Sequence, residues 1–327
     1  LNSFYQNPLF DKIHKKKFYY IKMEIHEYLE KKKEIQHGIL EYIDDNEINT
    51  NYEKNLLDLL NEHNIKNNRQ KLRSLFYLII KISKNHHRSN HFFTKIQNIL
   101  THFKQDIKDI FSNSEIFDIF KGNKRILLFL LEEKIFSFDQ STATLLLKKD
   151  KFVRANYASY FYEEIKPFID EELFQRKHQN RQNLKEILEN GSEFNRRRQI
   201  GNNYCYICKL IRKDLVKEFV EFINKNNYSI NSTIVPSLFE TNSFLEDKEP
   251  TLIAYSEFYG SIQLFTFLCF NNVELSSSLW LYAIHGANPE LIHYLEENHV
   301  KPYNDSYEKC VIEAIKCHHN DIANYII

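Results

Sequence analysis

The chain has little glycine and little proline, six of each in 327 residues, about a third of the usual share. These two residues make most tight turns, so their scarcity argues against a turn-rich β-sandwich or barrel and for a nearly all-helical chain. It also removes a class of ligand sites. Phosphate cradles need glycines close together so that backbone N–H groups converge. The six here are Gly38, Gly122, Gly191, Gly201, Gly260 and Gly286, and the nearest two lie ten residues apart. A dinucleotide fingerprint, a Walker loop and a nucleophile elbow are therefore excluded in their usual form.

Long apolar runs are missing too. Ile126-Leu127-Leu128-Phe129-Leu130-Leu131, bounded by Arg125 and Glu132, falls well short of the roughly 20 residues of a membrane helix. Lys15, Lys16 and Lys17 have no apolar segment after them, so no secretory signal is expected. Five cysteines (Cys205, Cys208, Cys269, Cys310, Cys317) are few and odd in number. They fit reduced thiols and a cytoplasmic protein. An excess of charge is absent as well: 44 Lys+Arg stand against 44 Asp+Glu, without the basic surplus of most nucleic-acid binders.

With 43% apolar and 27% charged residues, the chain has a folding composition. Its length exceeds what one compact core usually holds, which predicts two domains or an elongated array. Met23 is the only methionine. Residues 1–22 are expected to be a non-native or disordered extension upstream of the natural start. Ile327 falls inside an apolar helical pattern, so a repeat array truncated at its C-terminus is expected.

From Met23 onward, apolar residues recur at three- and four-residue intervals: Ile25, Tyr28, Leu29, Ile35, Ile39, Leu40 and Ile43, then Leu56–Leu60, then Leu72, Leu75, Phe76, Ile79 and Ile80. Phe92–Phe103 and Ile107–Phe120 continue the series. This spacing puts one apolar stripe on each helix. Polar breaks at 64–68 and 85–90 separate the helices, and residues 23–170 read as an N-terminal domain of helix hairpins. Residues 171–203 hold few apolar side chains besides Leu184, Ile187 and Leu188, and read as an irregular linker.

A repeat begins at residue 204. Four segments align on a polar residue followed by an apolar helix, at Asp214, Gln263, Glu290 and Asp321. Ten residues before these positions stand Tyr204, Ile253, Trp280 and Val311. Seven before stand Ile207, Ser256, Ala283 and Ala314; three before stand Ile211, Gly260, Ala287 and His318. Each unit is predicted to be two antiparallel helices with a tight turn, the small residue allowing close approach and the acid complementing the second helix's positive end. Such a hairpin cannot bury both apolar faces alone, but stacked neighbours can.

These units resemble the ankyrin repeat, most closely at Pro250-Thr251-Leu252-Ile253 and Tyr259-Gly260-Ser261-Ile262-Gln263-Leu264, with an earlier match at Lys121-Gly122-Asn123-Lys124-Arg125-Ile126. Spacings of 49, 27 and 31 replace the constant ankyrin period, and an insertion occupies 229–248. Over most of residues 23–327 the chain also resembles a large protist family in which a helical domain of unknown function leads into ankyrin repeats. That resemblance rests on Asn85–Ser89, Lys121–Leu130, Glu240–Leu245, Ser278–His285 and Cys317–Ile326. It begins near Met23, which agrees with the expected start. It implies a protein-interaction scaffold and carries no catalytic residue.

Other motifs point to ordinary structural roles. Cys205-Tyr206-Ile207-Cys208 is half of a zinc motif, and its second half is missing; two thiols on the first helix of a repeat are the expected reading. His86, His87, His91, His318 and His319 fall short of four local ligands, and no His-Glu-x-x-His occurs. Lys31–Lys33 and Arg196–Arg198 are expected to be solvated faces, the latter alternatively a localisation tag. Trp280 and the many phenylalanines and tyrosines sit at core spacing.

The sequence thus predicts an all-α fold: a helical-hairpin solenoid, ankyrin-like in its last third (204–327). The expected function is a non-enzymatic scaffold for a protein partner, through the inner helices and turns of that array. No nucleic acid, membrane insertion, small-molecule cofactor, metal ligand or catalytic residue is expected. The alternatives are a nucleic-acid-binding repeat protein, which needs Lys and Arg gathered on one face, and an enzyme, which needs titratable groups converging in a cleft.

Overall fold

The structure is a computed structural model. It describes residues 8–327 except 46, 49, 90, 148–156, 171–173 and 175–190, without the side chains of 8–21 and 50. Among the described residues the fold is all-α, with nineteen α-helices and no strand. They are α1 (Pro8–Asp44), α2 (Thr50–Glu62), α3 (Arg69–Asn85), α4 (Phe92–His102), α5 (Lys104–Ile110), α6 (Asn113–Phe120), α7 (Lys124–Glu132), α8 (Gln140–Leu147), α9 (Tyr157–Tyr160) and α10 (Tyr162–Ile165). There follow α11 (Gly191–Ile200), α12 (Tyr206–Arg212), α13 (Val216–Lys225), α14 (Leu252–Phe258), α15 (Ile262–Phe270), α16 (Leu279–Gly286), α17 (Pro289–Glu297), α18 (Glu308–Lys316) and α19 (Asn320–Ile326). No described helix is long and apolar enough to cross a membrane.

Two units divide the chain: residues 1–74 with 88–100, and residues 75–87 with 101–327. In the first, α1 packs on α2, and Ile39, Tyr42 and Ile43 are buried together with Leu56 and Leu60. Lys95 is fully buried. Its ammonium donates to the carbonyls of Tyr42 (2.8 Å) and Asp45 (2.6 Å), at the end of α1. A cation is favoured there, because the last carbonyls of a helix lack intrahelical partners and carry its negative end. Lys95→Met is therefore expected to cost roughly 3 kcal/mol, as two buried carbonyls lose a charged donor; urea denaturation measures it. Lys31 and Lys33 are solvated and pair with Glu27 (2.5 Å) and Glu30 (2.6 Å) one turn away.

The second unit begins with a phenylalanine cluster, Phe76 lying 6.0, 6.1 and 5.3 Å from the rings of Phe103, Phe111 and Phe120. The apolar pattern 107–120 is broken into α5 and α6 by a capping box. Ser112 and Glu115 each satisfy backbone donors at the start of α6, so the chain turns there despite the continuous periodicity. Asn123 caps α7 through its side-chain oxygen and donates to Ser83. Lys124 is buried against Glu246 at 3.1 Å, and Arg125 Nε donates to the Gln199 carbonyl at 2.8 Å.

Within the segment expected to be an irregular linker, residues 191–200 form α11; 171–173 and 175–190 lie outside the described residues. The Arg196–Arg198 run is not a uniformly solvated face. Consecutive helical positions point in different directions, and Arg198 turns inward, to Glu164 (2.8 and 2.9 Å) and the Tyr160 carbonyl (3.1 Å).

From residue 206 the helices come in pairs: α12 packs on α13, α14 on α15, α16 on α17 and α18 on α19. The first helices also form a row, α12 on α14, α14 on α16 and α16 on α18. One buried apolar cluster runs through all eight. Between the helices of each pair stands a residue with positive φ: Asp214 (53°), Gly260 (65°), Ala287 (49°) and His318 (63°). This left-handed residue lets the chain reverse after the first helix. It also corrects the register of the first unit by three residues, since Asp214 occupies the turn and not the start of a second helix. Its carboxylate instead accepts from the Gln263 and Leu264 amides (3.0 and 2.8 Å), capping α15 of the next pair.

The second helices end alike. Asn226, Asn271 and Asn298 each donate a side-chain N–H to the carbonyl four residues back, all at 2.8 Å. A residue with positive φ follows each: Asn227, Asn272 and His299. The insertion 229–248 is closed at its base by an antiparallel bridge between Thr233 and Thr251. At Gly286 two of these helix pairs approach closely: a Cβ there would stand 2.4 Å from the Glu257 carbonyl oxygen.

Candidate functional site

The densest group of chemically competent side chains lies in the second unit, where the end of α3 meets α16, α18 and the turn before α19. Two things bring these elements together. The Glu240-Thr241-Asn242-Ser243 segment folds on itself, with Glu240 Oε1 accepting from the Thr241 and Asn242 amides at 2.9 and 2.8 Å. Ser243 then binds the end of α3, its amide donating to the Lys84 carbonyl (3.1 Å) and its hydroxyl to Asn85 Oδ1 (2.7 Å). Phe244 follows and lies against the rings of His285 (4.0 Å) and Tyr282 (4.9 Å).

A first set comprises Cys317, His285 and Glu313. Cys317 Sγ stands 3.3 Å from His285 Nδ1, and His285 Nε2 stands 2.9 Å from Glu313 Oε1. A thiol can donate to one ring nitrogen while the other donates to the carboxylate. Burial lowers the pKa of His285 against the opposing pull of Glu313, which keeps the ring neutral. Burial would raise the Glu313 carboxyl, but hydrogen bonds from His285 and Lys316 overcome it and bring it to about 2. Burial pushes the Cys317 thiol up. The order Cys–His–Glu is that of an activated nucleophile, yet Cys317 and His285 are completely enclosed. A buried thiol held in its protonated form neither meets a substrate nor acts as a thiolate. The set is a buried chain of three hydrogen-bonded side chains.

A second set comprises His86, His87 and His319, whose ligand atoms lie within 4.8 Å of one another. The ring of His86 is 4.3 Å from that of His87 and 4.9 Å from that of His319; His87 and His319 are 5.3 Å apart. His86 and His319 are buried, and His87 is half-buried. His86 Nδ1 donates to the Cys317 carbonyl at 2.6 Å. Burial, reinforced by the surrounding histidines, brings His319 down to about 2, and burial with His86 brings His318 down to about 4. The His318 and His319 rings are neutral at physiological pH.

The sequence assigned no metal ligand, and the structure brings together three of the five histidines it weighed. His318 supplies the positive-φ turn beside them, and His91 belongs to the other unit. The visible signal was the pair of His-His doublets at 86–87 and 318–319. Cys205 is exposed at the start of α12 while Cys208 is buried, its thiol pushed up to about 12 by burial. Trp280 is buried, its Nε1 donating to the Val300 carbonyl at 2.6 Å.

An open cleft of about 850 Å³ lies elsewhere, lined by Leu128, Leu131, Ile135 and Phe136 with Glu132, Glu164 and Arg198. Arg198 and Glu164 face each other as an ion pair in it. No family model, no curated protein and no solved structure matches the chain.

Proposed function

We propose that residues 204–327 form a solenoid of ankyrin-like helix pairs that binds a partner protein and performs no catalysis. The observation that carries this reading is the row of first helices, each resting on the next and each followed by the same positive-φ turn. Stacked units of this kind give an extended surface whose exposed side chains can vary without disturbing the core. The inferred membership in a protist scaffold family and the cytoplasmic setting belong to the same reading.

A contact edge is suggested by where large apolar side chains remain exposed. In antiparallel pairs the start of each first helix and the end of each second helix share one edge. Tyr206 at the start of α12 and Phe270 at the end of α15 lie on that edge and are exposed, as are Val235 in the insertion and Tyr303 and Tyr307 before α18, while Ile312, Ile315 and Tyr325 are exposed on α18 and α19. Apolar and aromatic anchors of this sort supply most of the binding energy of protein interfaces.

The competing readings have less support. Lys95, Lys124, Arg125 and Arg198 are buried and so are withdrawn from any basic face. The Cys–His–Glu set has no access to a substrate. The experiment is capture of partners with the full-length chain, repeated with Phe270→Asp and Val235→Asp. Loss of the captured partner at unchanged thermal midpoint is expected. Capture that ignores both substitutions, or turnover by the purified protein, removes the proposal.

A further inference from the structure

We propose that His86, His87 and His319 bind one divalent transition-metal ion of the zinc class, fastening the end of α3 to the turn before α19. Three observations carry this. The three ligand atoms already lie within 4.8 Å of one another. Tetrahedral zinc with nitrogen ligands at about 2.1 Å sets its donors about 3.4 Å apart, so side-chain rotations on the order of an ångström complete the approach.

The second observation is the tautomer of His86. A carbonyl oxygen only accepts, so the 2.6 Å contact with Cys317 requires the proton on Nδ1. Nε2 then carries a lone pair. A metal-binding histidine characteristically uses one nitrogen for the metal and donates from the other to a backbone carbonyl or carboxylate, which fixes the ring's orientation. The third is His319. It is 7% exposed, and its Nε2 is enclosed with no hydrogen-bond partner. A buried imidazole nitrogen left unsatisfied costs free energy, and a metal ion would satisfy it together with the two neighbouring rings.

The ligand chemistry narrows the ion. Neutral imidazoles suit zinc, copper, nickel and iron, while magnesium and calcium require oxygen ligands. The adjoining Cys317, His285 and Glu313 are engaged with one another and so serve as surroundings. Three protein ligands leave a fourth position for solvent. The ligands come from residues more than 230 positions apart, so the ion would act as a clip across the second unit, stabilising by its occupancy.

The test is a Zn²⁺ titration of the purified full-length chain against a chromophoric chelator, with Co²⁺ absorption alongside. One Zn²⁺ per chain is expected, with a thermal midpoint that rises on addition and returns on chelation. The Co²⁺ spectrum is expected to lack thiolate-to-metal charge transfer. His319→Gln and His87→Gln should each weaken binding at least about a hundredfold, while the exposed His293→Gln leaves it unchanged. His87 is half-buried, so its variant reports on binding even where His319→Gln disturbs the fold. Absence of stoichiometric uptake by the wild-type chain, a thiolate band, or affinity indifferent to both substitutions overturns the assignment.

Discussion

Glu257→Gln is expected to stabilise the protein, by an amount that grows with pH. Glu257 lies on α14, fully buried, and neither carboxylate oxygen has a hydrogen-bond partner. Burial raises its pKa well above the ordinary carboxyl value. In the folded chain the group therefore holds its proton through a range where the unfolded chain has released it. The folded state binds more protons there, so stability falls as pH rises from about 4.3 towards the raised native value. The slope is about 1.4 kcal/mol per pH unit. Glutamine has nearly the same shape and no titration, so the variant lacks this slope. Urea denaturation between pH 4 and pH 8 should give coincident stabilities at the acid end and a widening gap above it. Parallel curves would show that Glu257 stays ionised and finds a partner in the folded chain.

Trp280→Ala is the substitution with the largest expected loss. The indole is 1% exposed, meets Tyr307 edge-to-face at 5.0 Å and donates to the Val300 carbonyl. Val300 lies in the connection between α17 and α18, so this single side chain ties the first helix of one pair to the chain entering the next. Removal leaves a cavity and an orphaned carbonyl, together on the order of 4–6 kcal/mol. Trp280→Phe keeps most of the volume but not the donor, and should cost roughly 1–3 kcal/mol. Measuring both by denaturant titration separates packing from hydrogen bonding. Equal losses would mean that the N–H carries the whole effect.

The helical character of the fold was legible because it follows from short-range physics. Scarce glycine and proline, and apolar residues every three or four positions, each act within a few residues. The small side chains at Ser256, Ala283 and Ala314 were legible for the same reason, and all three are buried. The register of the first pair was not. Leu215 stands at the turn where Ser261 and Asn288 stand in the next two pairs, so the nearby acid was the more visible marker, and its carboxylate serves a different helix. Arg198 was hidden by its neighbours: a run of like charges reads as solvated, and only the helical rotation sends its third member inward. The break at Ser112 was written in the sequence as a capping box inside an otherwise continuous pattern.

The histidine cluster shows where sequence reading stops. Each doublet alone offers two rings, too few for a metal ion, and the doublets are separated by most of the chain. Their meeting depends on the 240–248 segment, whose Ser243 binds the end of α3. No local pattern encodes a contact made by a third segment.

The carboxylate of Asp214 leaves its own pair and satisfies the amides at the head of α15. The boundary between these modules is therefore not a place where the chain can be divided cleanly. A fragment starting at the insertion would strip Phe219 of α13 from Phe267 of α15 and also begin α15 with bare N–H groups. Shortening from this side therefore removes a helix cap together with an apolar contact, and a designer trimming the chain would do well to cut before α12 or to supply a replacement acid.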